Sequence, residues 1–275
     1  MPLTHIKKQL LIILAFGALL ITSCTNAKQP FLATKNILYN TQGQLLDLYL
    51  PKASNKKTAI MFIHGGGFKA GNKEEMAGFA KLYAKNGFVT TSINYRLTPE
   101  HPYPAAVNDT KDAFAWMQKN ALQYGYNANK IVLVGYSAGG TLSLNVGLDN
   151  TQHVAATISV AGVTEFGSLI KDTPLPELRA DLKTYLGQED PLQASPLSQI
   201  SQQSPPVFIF HGDKDNIVPI SQSVLLAEKL KSNKVPVLFR VFPDAGHEIM
   251  LPNKHLKQLL KEMTGFILAV ESNNE

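Results

Sequence analysis

The sequence predicts an α/β fold in which a mostly parallel sheet is covered by helices on both faces. Apolar strands and amphipathic helices alternate along nearly the whole chain, an order typical of parallel sheets with helical crossovers. The central strands are apolar at every position, as expected of strands that are buried on both sides. In such sheets ligands bind beyond the carboxyl ends of the strands, so we expect the functional residues there.

Two kinds of pattern predict the strands. Leucines alternate with polar residues near the amino end, which predicts an edge hairpin around Gly43. The remaining strands are short continuous apolar runs bounded by turn residues. In chain order the predicted strands are Ile37 to Tyr39, Leu45 to Leu50, Ala59 to Ile63, Phe88 to Ile93, Ile131 to Val134, Val154 to Val160, Pro206 to Phe210 and Val237 to Phe242.

Helices are predicted between these strands. Gly87 ends the first of them, since a glycine commonly stands just beyond a helix. The longest helix has Val107, Phe114, Met117 and Ala121 on one stripe. In chain order the predicted helices are Glu74 to Asn86, Pro104 to Tyr124, Gly139 to Leu148, Ile220 to Ser232 and His255 to Val270.

A serine stands at the tip of the turn between a predicted strand and the next helix. The segment Gly135-Tyr136-Ser137-Ala138-Gly139 has the G-x-S-x-G pattern, whose glycines let neighbouring backbone segments pass close to the turn. A serine held open in this way becomes a nucleophile once a base takes its proton. The pattern predicts Ser137 as the nucleophile of a hydrolase that forms an acyl-serine intermediate.

Three consecutive glycines, at positions 65–67, follow the strand Ala59 to Ile63. Because such a run costs backbone entropy, we expect it where amide N–H groups point at a ligand. In ester hydrolysis they would hold the anion that develops on the carbonyl oxygen. The N–H of Ala138, directly after the nucleophile, would be a further donor. A flexible loop is the alternative interpretation.

Candidates for the acid and the base follow later strands. Asp213 and Asp215 both come after the strand Pro206 to Phe210. Either could orient a catalytic imidazole, the other would cap a turn or a helix, and their spacing does not choose between them. His247 lies on a loop of small residues after the last strand and is the candidate general base. The chain order serine, acid, histidine is that of the α/β-hydrolase fold.

These motifs resemble a known family. HGGGF at 64–68, NYRL at 94–97, YPAA at 103–106 and GYSAGG at 135–140 are similar to HGGG-containing carboxylesterases related to hormone-sensitive lipase. HGDKDNIVP at 211–219 and AGH at 245–247 are more similar to acetyl-xylan and feruloyl esterases and to the catalytic domain of prolyl oligopeptidases. The resemblance covers about Asn36 to Val270. It implies an α/β-hydrolase fold, Asp215 as the acid, and oxyanion donors at Gly66, Gly67 and Ala138, with no metal or organic cofactor.

The segment Gly162 to Ser204 breaks the alternation of strands and helices. It carries several prolines and one predicted helix, Pro176 to Leu186. Long connections in compact domains are usually functional, so we expect a small cap over the active site, with a surface excursion as the alternative. The segment is too short for a large lipase lid. We therefore expect short acyl groups. The resemblance, together with the bacterial cell-envelope location predicted from the amino terminus below, suggests acetyl or feruloyl esters of carbohydrates.

The amino terminus predicts a separate segment. The apolar run Leu10 to Ile21 follows two lysines; it is too short to span a bilayer and fits the core of a signal peptide. It ends in ITSC at 21–24, which resembles a bacterial lipobox and implies cleavage before the lipidated Cys24 and anchoring in the bacterial cell envelope. An uncleaved anchor or a plain secretory signal is the alternative. The predicted organisation is signal peptide 1–23, lipidated cysteine and tether 24–35, and catalytic domain 36–275.

Composition excludes little, but the charge pattern argues against nucleic acid as a partner. The formal net charge is +5, yet the charges are scattered and no basic stripe is interleaved with aromatic residues. Two further interpretations stay open at this stage. One is an amidase or peptidase on the same fold, because the chemistry of acyl transfer is shared; the other is an inactive hydrolase scaffold that binds ligands at a surface.

Overall fold

A sheet of eight strands organises the residues that the computed structural model describes, 30–53 and 56–272. The strands are β1 (Phe31–Leu38), β2 (Leu45–Pro51), β3 (Ala59–Ile63), β4 (Val89–Ile93), β5 (Ile131–Tyr136), β6 (Ala156–Val160), β7 (Val207–Gly212) and β8 (Val237–Phe242). They stand in the order β1-β2-β4-β3-β5-β6-β7-β8. β2 pairs antiparallel with β1 and with β4, and every other pair is parallel. The predicted mostly parallel sheet is confirmed.

Helices cover both faces of the sheet. On one face lie α1 (Ala77–Lys85) and α8 (Leu256–Ser272). On the other lie α2 (Ala105–Tyr124), α3 (Ala138–Gly147) and α7 (Ser221–Ser232). Successive strand residues point to opposite faces, and both faces are buried, which is why the central strands are apolar throughout.

The strand β3 illustrates this arrangement. Ile60 and Phe62 pack in the cluster with α1 and α8. Met61 and Ile63 pack in the cluster with α2 and α3. All four side chains are fully buried, so each contributes apolar burial to one of the two layers.

The folded part begins earlier than the sequence predicts. β1 starts at Phe31, so the tether predicted over 24–35 extends five residues too far and the domain does not start at Asn36. Phe31 is buried and lies edge-on to Tyr49, with ring centroids 5.9 Å apart. The next five residues of the strand are exposed, and its register shifts between Thr34 and Ile37. The strand therefore lacks the apolar alternation that would reveal it.

The segment Gly162 to Ser204 contains three short α-helices, α4 (Phe166–Asp172), α5 (Pro176–Leu186) and α6 (Pro191–Ala194), followed by a turn of 3-10 helix at Pro196–Gln199. Only α5 is predicted from the sequence. Tyr185 of α5 is fully buried and stacks on Phe68, which follows the glycine run, at a centroid distance of 3.7 Å. The segment is thus packed against the loop after β3.

The predicted signal peptide and Cys24 lie outside the described residues. Residues from Phe31 onward form a compact unit of their own. Within residues 30–53 and 56–272, no helix has the length and the apolar character needed to cross a bilayer.

Candidate active site

Ser137 occupies the turn between β5 and α3 in a strained conformation. Its φ is 53° and its ψ is −121°, in the region that disfavours residues with a Cβ and that costs of order 1–3 kcal/mol. The backbone N–H of Ser137 donates to the carbonyl of Val160 at 2.8 Å, which ties the turn to β6. The side chain is half-buried and lies at the carboxyl end of a central strand.

The two flanking glycines are required by close backbone packing. A Cβ on Gly135 would lie 1.9 Å from the carbonyl oxygen of Gly139. A Cβ on Gly139 would lie 2.2 Å from the carbonyl oxygen of Ile63. Neither distance is compatible with a side chain, so the tight turn between β5 and α3 depends on both glycines.

Hydrogen bonds connect Ser137, His247 and Asp215 in one chain. Nε2 of His247 lies 2.9 Å from Oγ of Ser137, and Nδ1 of His247 lies 2.7 Å from Oδ2 of Asp215. An ionised carboxylate only accepts hydrogen bonds, so Nδ1 donates to Asp215. In the neutral ring Nε2 then accepts the hydroxyl proton of Ser137. This is the tautomer that a general base requires.

Asp215, at the end of this hydrogen-bonded chain, is buried. Its Oδ1 accepts the amide N–H groups of Ile217 and Val218, both at 2.9 Å. Burial raises the pKa of Asp215, but hydrogen bonds from His211 and His247 outweigh it and hold the pKa well below its usual range. The carboxylate is therefore ionised at neutral pH and available to a protonated imidazole.

Asp213, the other candidate acid, lies elsewhere. Its side chain is exposed, and its Oδ1 accepts the amide N–H of Asp244 at 2.8 Å. It thus closes a turn between the loops after β7 and β8. The structure brings Asp215, and not Asp213, to His247.

Tyr136 supports the loop that carries His247. Its hydroxyl donates to the carbonyl of His247 at 2.8 Å, and the two rings lie 5.5 Å apart. Burial raises the pKa of Tyr136, so the hydroxyl keeps its proton. In the sequence, this residue is marked by its position inside the G-x-S-x-G pattern, directly before Ser137.

The glycine run forms an open turn beside Ser137. Gly66 and Gly67 have φ values of 104° and 61°, which glycine adopts without strain. The carbonyl of Gly66 accepts the N–H groups of Lys69 and Ala70 at 3.1 and 3.0 Å. Gly66 is exposed and Gly67 half-exposed. Both therefore lie open to the cavity that Ser137 lines.

Ala138, the residue after the serine, lines the same cavity. It is the first residue of α3, and the first N–H groups of a helix have no partner within the helix. The amino end of a helix also favours a negative charge. The predicted donors Gly66, Gly67 and Ala138 thus lie together around one cavity.

His64, directly before the glycine run, holds Gly65 in place from the buried side. It is buried, its Nδ1 lies 2.7 Å from the carbonyl oxygen of Gly65, and its ring stacks on Tyr95 at 4.2 Å. The hydroxyl of Tyr95 donates to the carbonyls of His64 and Gly65, both at 3.0 Å. Burial lowers the pKa of His64 to about 4, so the ring is neutral and structural.

A cavity of about 480 Å³ opens above Ser137. Its wall is mostly apolar and includes Phe68, Val163, Leu182 and Val218, all buried. α5 contributes a large part of this wall, so the segment Gly162 to Ser204 acts as the predicted cap. A larger hollow of about 700 Å³ lies at the amino ends of β5 to β7 and contains none of the groups described above.

The part of the sequence that carries this site also matches a known protein family. A family model described as BD-FAE matches residues 46–230. The chain belongs to the BD-FAE family. The match includes the glycine run, the serine turn and Asp215, and it ends before His247.

Curated relatives of this BD-FAE family member are esterases. Esterase LipC of Mycobacterium tuberculosis is 30% identical over 78% of this chain, and the chain covers 59% of its length. The acetyl esterase of Salmonella paratyphi B is 27% identical over 82% of the chain and 76% of its own length. The chain covers 48% of LipM of Mycobacterium tuberculosis, a protein named "Probable carboxylic ester hydrolase LipM", so it spans about half to three fifths of two of the relatives it matches.

Solved structures show the α/β-hydrolase fold. A truncated carbohydrate esterase from gut microbiota superimposes with a TM-score of 0.77 at 25% identity, over 90% of this chain and 99% of that one. Esterase 2 of Thermogutta terrifontis, phosphonylated by sarin, gives a TM-score of 0.78 at 25% identity, over 86% and 95%. The BD-FAE chain is therefore similar in sequence and in fold to carboxylic ester hydrolases.

Proposed function

We propose that this chain is a serine carboxylesterase that hydrolyses short-chain acyl esters through an acyl-serine intermediate. The observation that carries the proposal is the hydrogen-bonded chain from Ser137 Oγ through His247 to Asp215. It opens onto a cavity lined by Gly66, Gly67 and Ala138. A nucleophile, a base, its orienting acid and a set of oxyanion donors are the parts that acyl transfer requires.

The first half-reaction forms the acyl-enzyme. Ser137 Oγ attacks the ester carbonyl while Nε2 of His247 takes the hydroxyl proton. Asp215 keeps the ring oriented and stabilises its positive charge. The negative charge on the carbonyl oxygen is met by the backbone N–H groups of Gly66, Gly67 and Ala138. His247 then returns the proton to the leaving alcohol, and the C–O bond breaks.

The second half-reaction hydrolyses the acyl-serine. Water enters from the cavity and gives a proton to Nε2 of His247 as its oxygen attacks the acyl carbon. The same N–H groups hold the second oxyanion, and the proton passes back to Ser137 Oγ as the acid leaves. Every step uses groups of the chain itself.

The proposed substrates are small or carbohydrate esters. The cavity lies under a cap of short helices rather than a large lid, which favours short acyl groups. Among the similar proteins, one is named an acetyl esterase and another a carbohydrate esterase. Acetyl or feruloyl groups on a polysaccharide are therefore the substrates that we would test first.

We also propose that the enzyme is anchored in the bacterial cell envelope through lipid on Cys24. The support is the apolar run and the ITSC sequence at 21–24. Metabolic labelling with an alkyne fatty acid should mark the wild-type chain and leave Cys24→Ala unmarked. Equal labelling of both chains would contradict the proposal.

The activity is tested with esters of graded acyl length, acetyl-xylan, and a matched pair of p-nitrophenyl ester and p-nitroanilide. We expect the ester to be cleaved much faster than the anilide, with acetate or propionate preferred to long chains. Ser137→Ala should lose up to about 10⁶-fold in kcat and should no longer react with a fluorophosphonate. A wild-type protein inert to the probe and to every ester would favour a binding protein instead.

A further inference from the structure

Charged side chains surround the mouth of an otherwise apolar cavity. Lys69 follows the glycine run, and Glu177 and Asp181 come from α5 of the cap; all three line the cavity together with Ser137. The buried part of the wall is apolar. Beyond the imidazole of His247 and the phenol of Tyr136, these three are the ionisable groups of the cavity lining among the described residues.

Lys69 and Asp181 form an ion pair across the mouth. Nζ of Lys69 lies 2.7 Å from Oδ2 of Asp181, with 52% and 29% of the two side chains exposed. The backbone N–H of Lys69 donates to the carbonyl of Gly66 at 3.1 Å. Lys69 therefore belongs to the same turn as Gly66 and Gly67, two of the proposed oxyanion donors. Asp181 neutralises the charge of its ammonium group there.

Glu177 leaves an uncompensated negative charge. It lies four residues before Asp181, so both carboxylates share one face of α5. It stands in the first turn of the helix, where the helix dipole favours a carboxylate. Glu177 is exposed, and no described residue pairs with its side chain. Two carboxylates and one ammonium give the mouth a formal charge of −1.

We propose that Glu177 and Asp181 make the mouth a charge filter that selects uncharged esters and rejects anionic ones. Glu177 repels an anionic substrate directly, and Asp181 prevents Lys69 from attracting one. The inference rests on the proposed esterase activity and narrows its substrate class to esters without a negative charge near the reacting carbonyl. Neutral acetylated sugars would pass, whereas esters that carry a free carboxylate on the acyl or alcohol group would not.

Two matched substrate pairs test the filter. The pair 4-nitrophenyl butyrate and 4-nitrophenyl hemisuccinate differs by a charge on the acyl group. The acetates of 4-hydroxybenzamide and 4-hydroxybenzoate differ by a charge on the alcohol group. The measured quantity is the ratio of kcat/KM for the neutral ester to kcat/KM for the anionic ester, since effects on the shared chemistry cancel in this ratio.

The variants change the charge of the mouth in both directions. In at least one pair the ratio should fall about three- to tenfold in Glu177→Gln and in Asp181→Asn, and further in the double variant. It should rise in Lys69→Met, which leaves two bare carboxylates. High salt should reduce all of these differences, because it screens exposed charges. Glu228→Gln, which removes a charge from an exposed position of α7 outside the cavity lining, should leave the ratio unchanged.

The outcomes separate the filter from the activity itself. Turnover of the neutral esters with ratios that are the same in wild type and in the Glu177→Gln/Asp181→Asn double variant, in both pairs, would overturn the filter and leave the esterase proposal standing. A wild-type preference for the anionic esters would do the same. Absence of turnover of both neutral esters would overturn the proposed function and the filter with it.

Discussion

Nε2 of His211 lies 3.1 Å from Oδ2 of Asp215, the same carboxylate oxygen that accepts the hydrogen bond from Nδ1 of His247. The His211 side chain is fully buried. Its Nε2 also lies 2.8 Å from the carbonyl oxygen of Val218, and its Nδ1 lies 2.6 Å from Oγ of Ser223. A neutral ring protonated at Nε2 donates to both oxygens and accepts from Ser223, so every polar atom of the ring is satisfied.

Replacing His211 should make Asp215 less effective in orienting His247, although the carboxylate itself stays in place. His211→Phe deletes a hydrogen bond to a buried carboxylate, and such bonds contribute about 1.5–3 kcal/mol. We expect kcat for a short ester to fall about tenfold or more, with little change in KM. His211→Gln, which keeps a donor, should retain more of the activity, and Ser223→Ala should cost less than His211→Phe.

Thermal unfolding of each variant separates positioning from general damage to the fold. The positioning role predicts that kcat differs between His211→Phe and His211→Gln at similar melting temperatures. Equal kcat values in the two variants would show that His211 only fills space beside Asp215.

Asp213 and Asp215 should behave very differently when each is replaced by alanine. Asp215→Ala removes the group that orients His247, and comparable losses in serine hydrolases are about 10⁴-fold in kcat. The side chain of Asp213 is exposed and, among the described residues, its one hydrogen bond is from the N–H of Asp244, so Asp213→Ala should stay within a few-fold of wild type. Steady-state kinetics on one short ester decide the matter. A greater loss in Asp213→Ala would mean that the acid has been wrongly assigned.

This pair also shows where the sequence stops being informative. Both aspartates follow β7 within three residues, and the pattern alone fits either. The choice is made by the path of the turn: the N–H of Lys214 donates to the carbonyl of Ala245 at 2.9 Å, and that of Asp213 to the carbonyl of Phe242 at 3.2 Å. These contacts to the loop after β8 fix the turn so that only Asp215 faces inward. Long-range contacts of this kind leave no local signal.

The central strands, by contrast, were predictable because burial on two faces demands apolar residues at every position. β1 was largely missed because five consecutive residues, from Leu32 to Asn36, are exposed. The helices α4 and α6 were missed because seven and four residues are too few for a helical period to stand out. Ser137, His247 and the glycine run were predictable since each needs an unusual backbone or loop with a recognisable composition.

Gly139→Ala should disrupt the turn that carries Ser137. Its Cβ would lie 2.2 Å from the carbonyl oxygen of Ile63 and 2.4 Å from that of His64, so α3 and the end of β3 would have to separate. We expect a large loss of stability in chemical denaturation and loss of activity. Such a clash with backbone cannot be relieved by a side-chain rotation.

Gly78→Ala is the matched control for this substitution. Gly78 lies in α1, and apart from its chain neighbours and the backbone of the same helix no described atom lies within 4 Å of a Cβ built there. Alanine in a helix is about 0.5–1 kcal/mol more favourable than glycine, so this variant should be slightly more stable than wild type and fully active. Wild-type stability in Gly139→Ala would contradict the packing described for the serine turn.

The last prediction concerns the stability of the protein below neutral pH. Burial lowers the pKa of His64 from 6.5 to about 4, partly opposed by the hydrogen bond to Gly65 and by the charge of Glu74. Between these two pH values the unfolded chain binds a proton that the folded protein does not. The free energy of unfolding should therefore fall as the pH drops through this window, by about 3 kcal/mol in total. The contribution is complete above pH 6.5 and levels off below about 4.

Urea unfolding of wild type and His64→Gln across this window measures the effect. The advantage of wild type over His64→Gln should shrink as the pH falls, because only in wild type does the unfolded chain gain a proton at residue 64 that the folded protein does not bind. NMR titration of the wild-type imidazole gives an independent reading, in which His64 stays neutral near pH 5. A pH-independent difference between the two proteins, or an imidazole that titrates near 6.5, would show that the ring below the glycine run is accessible to water.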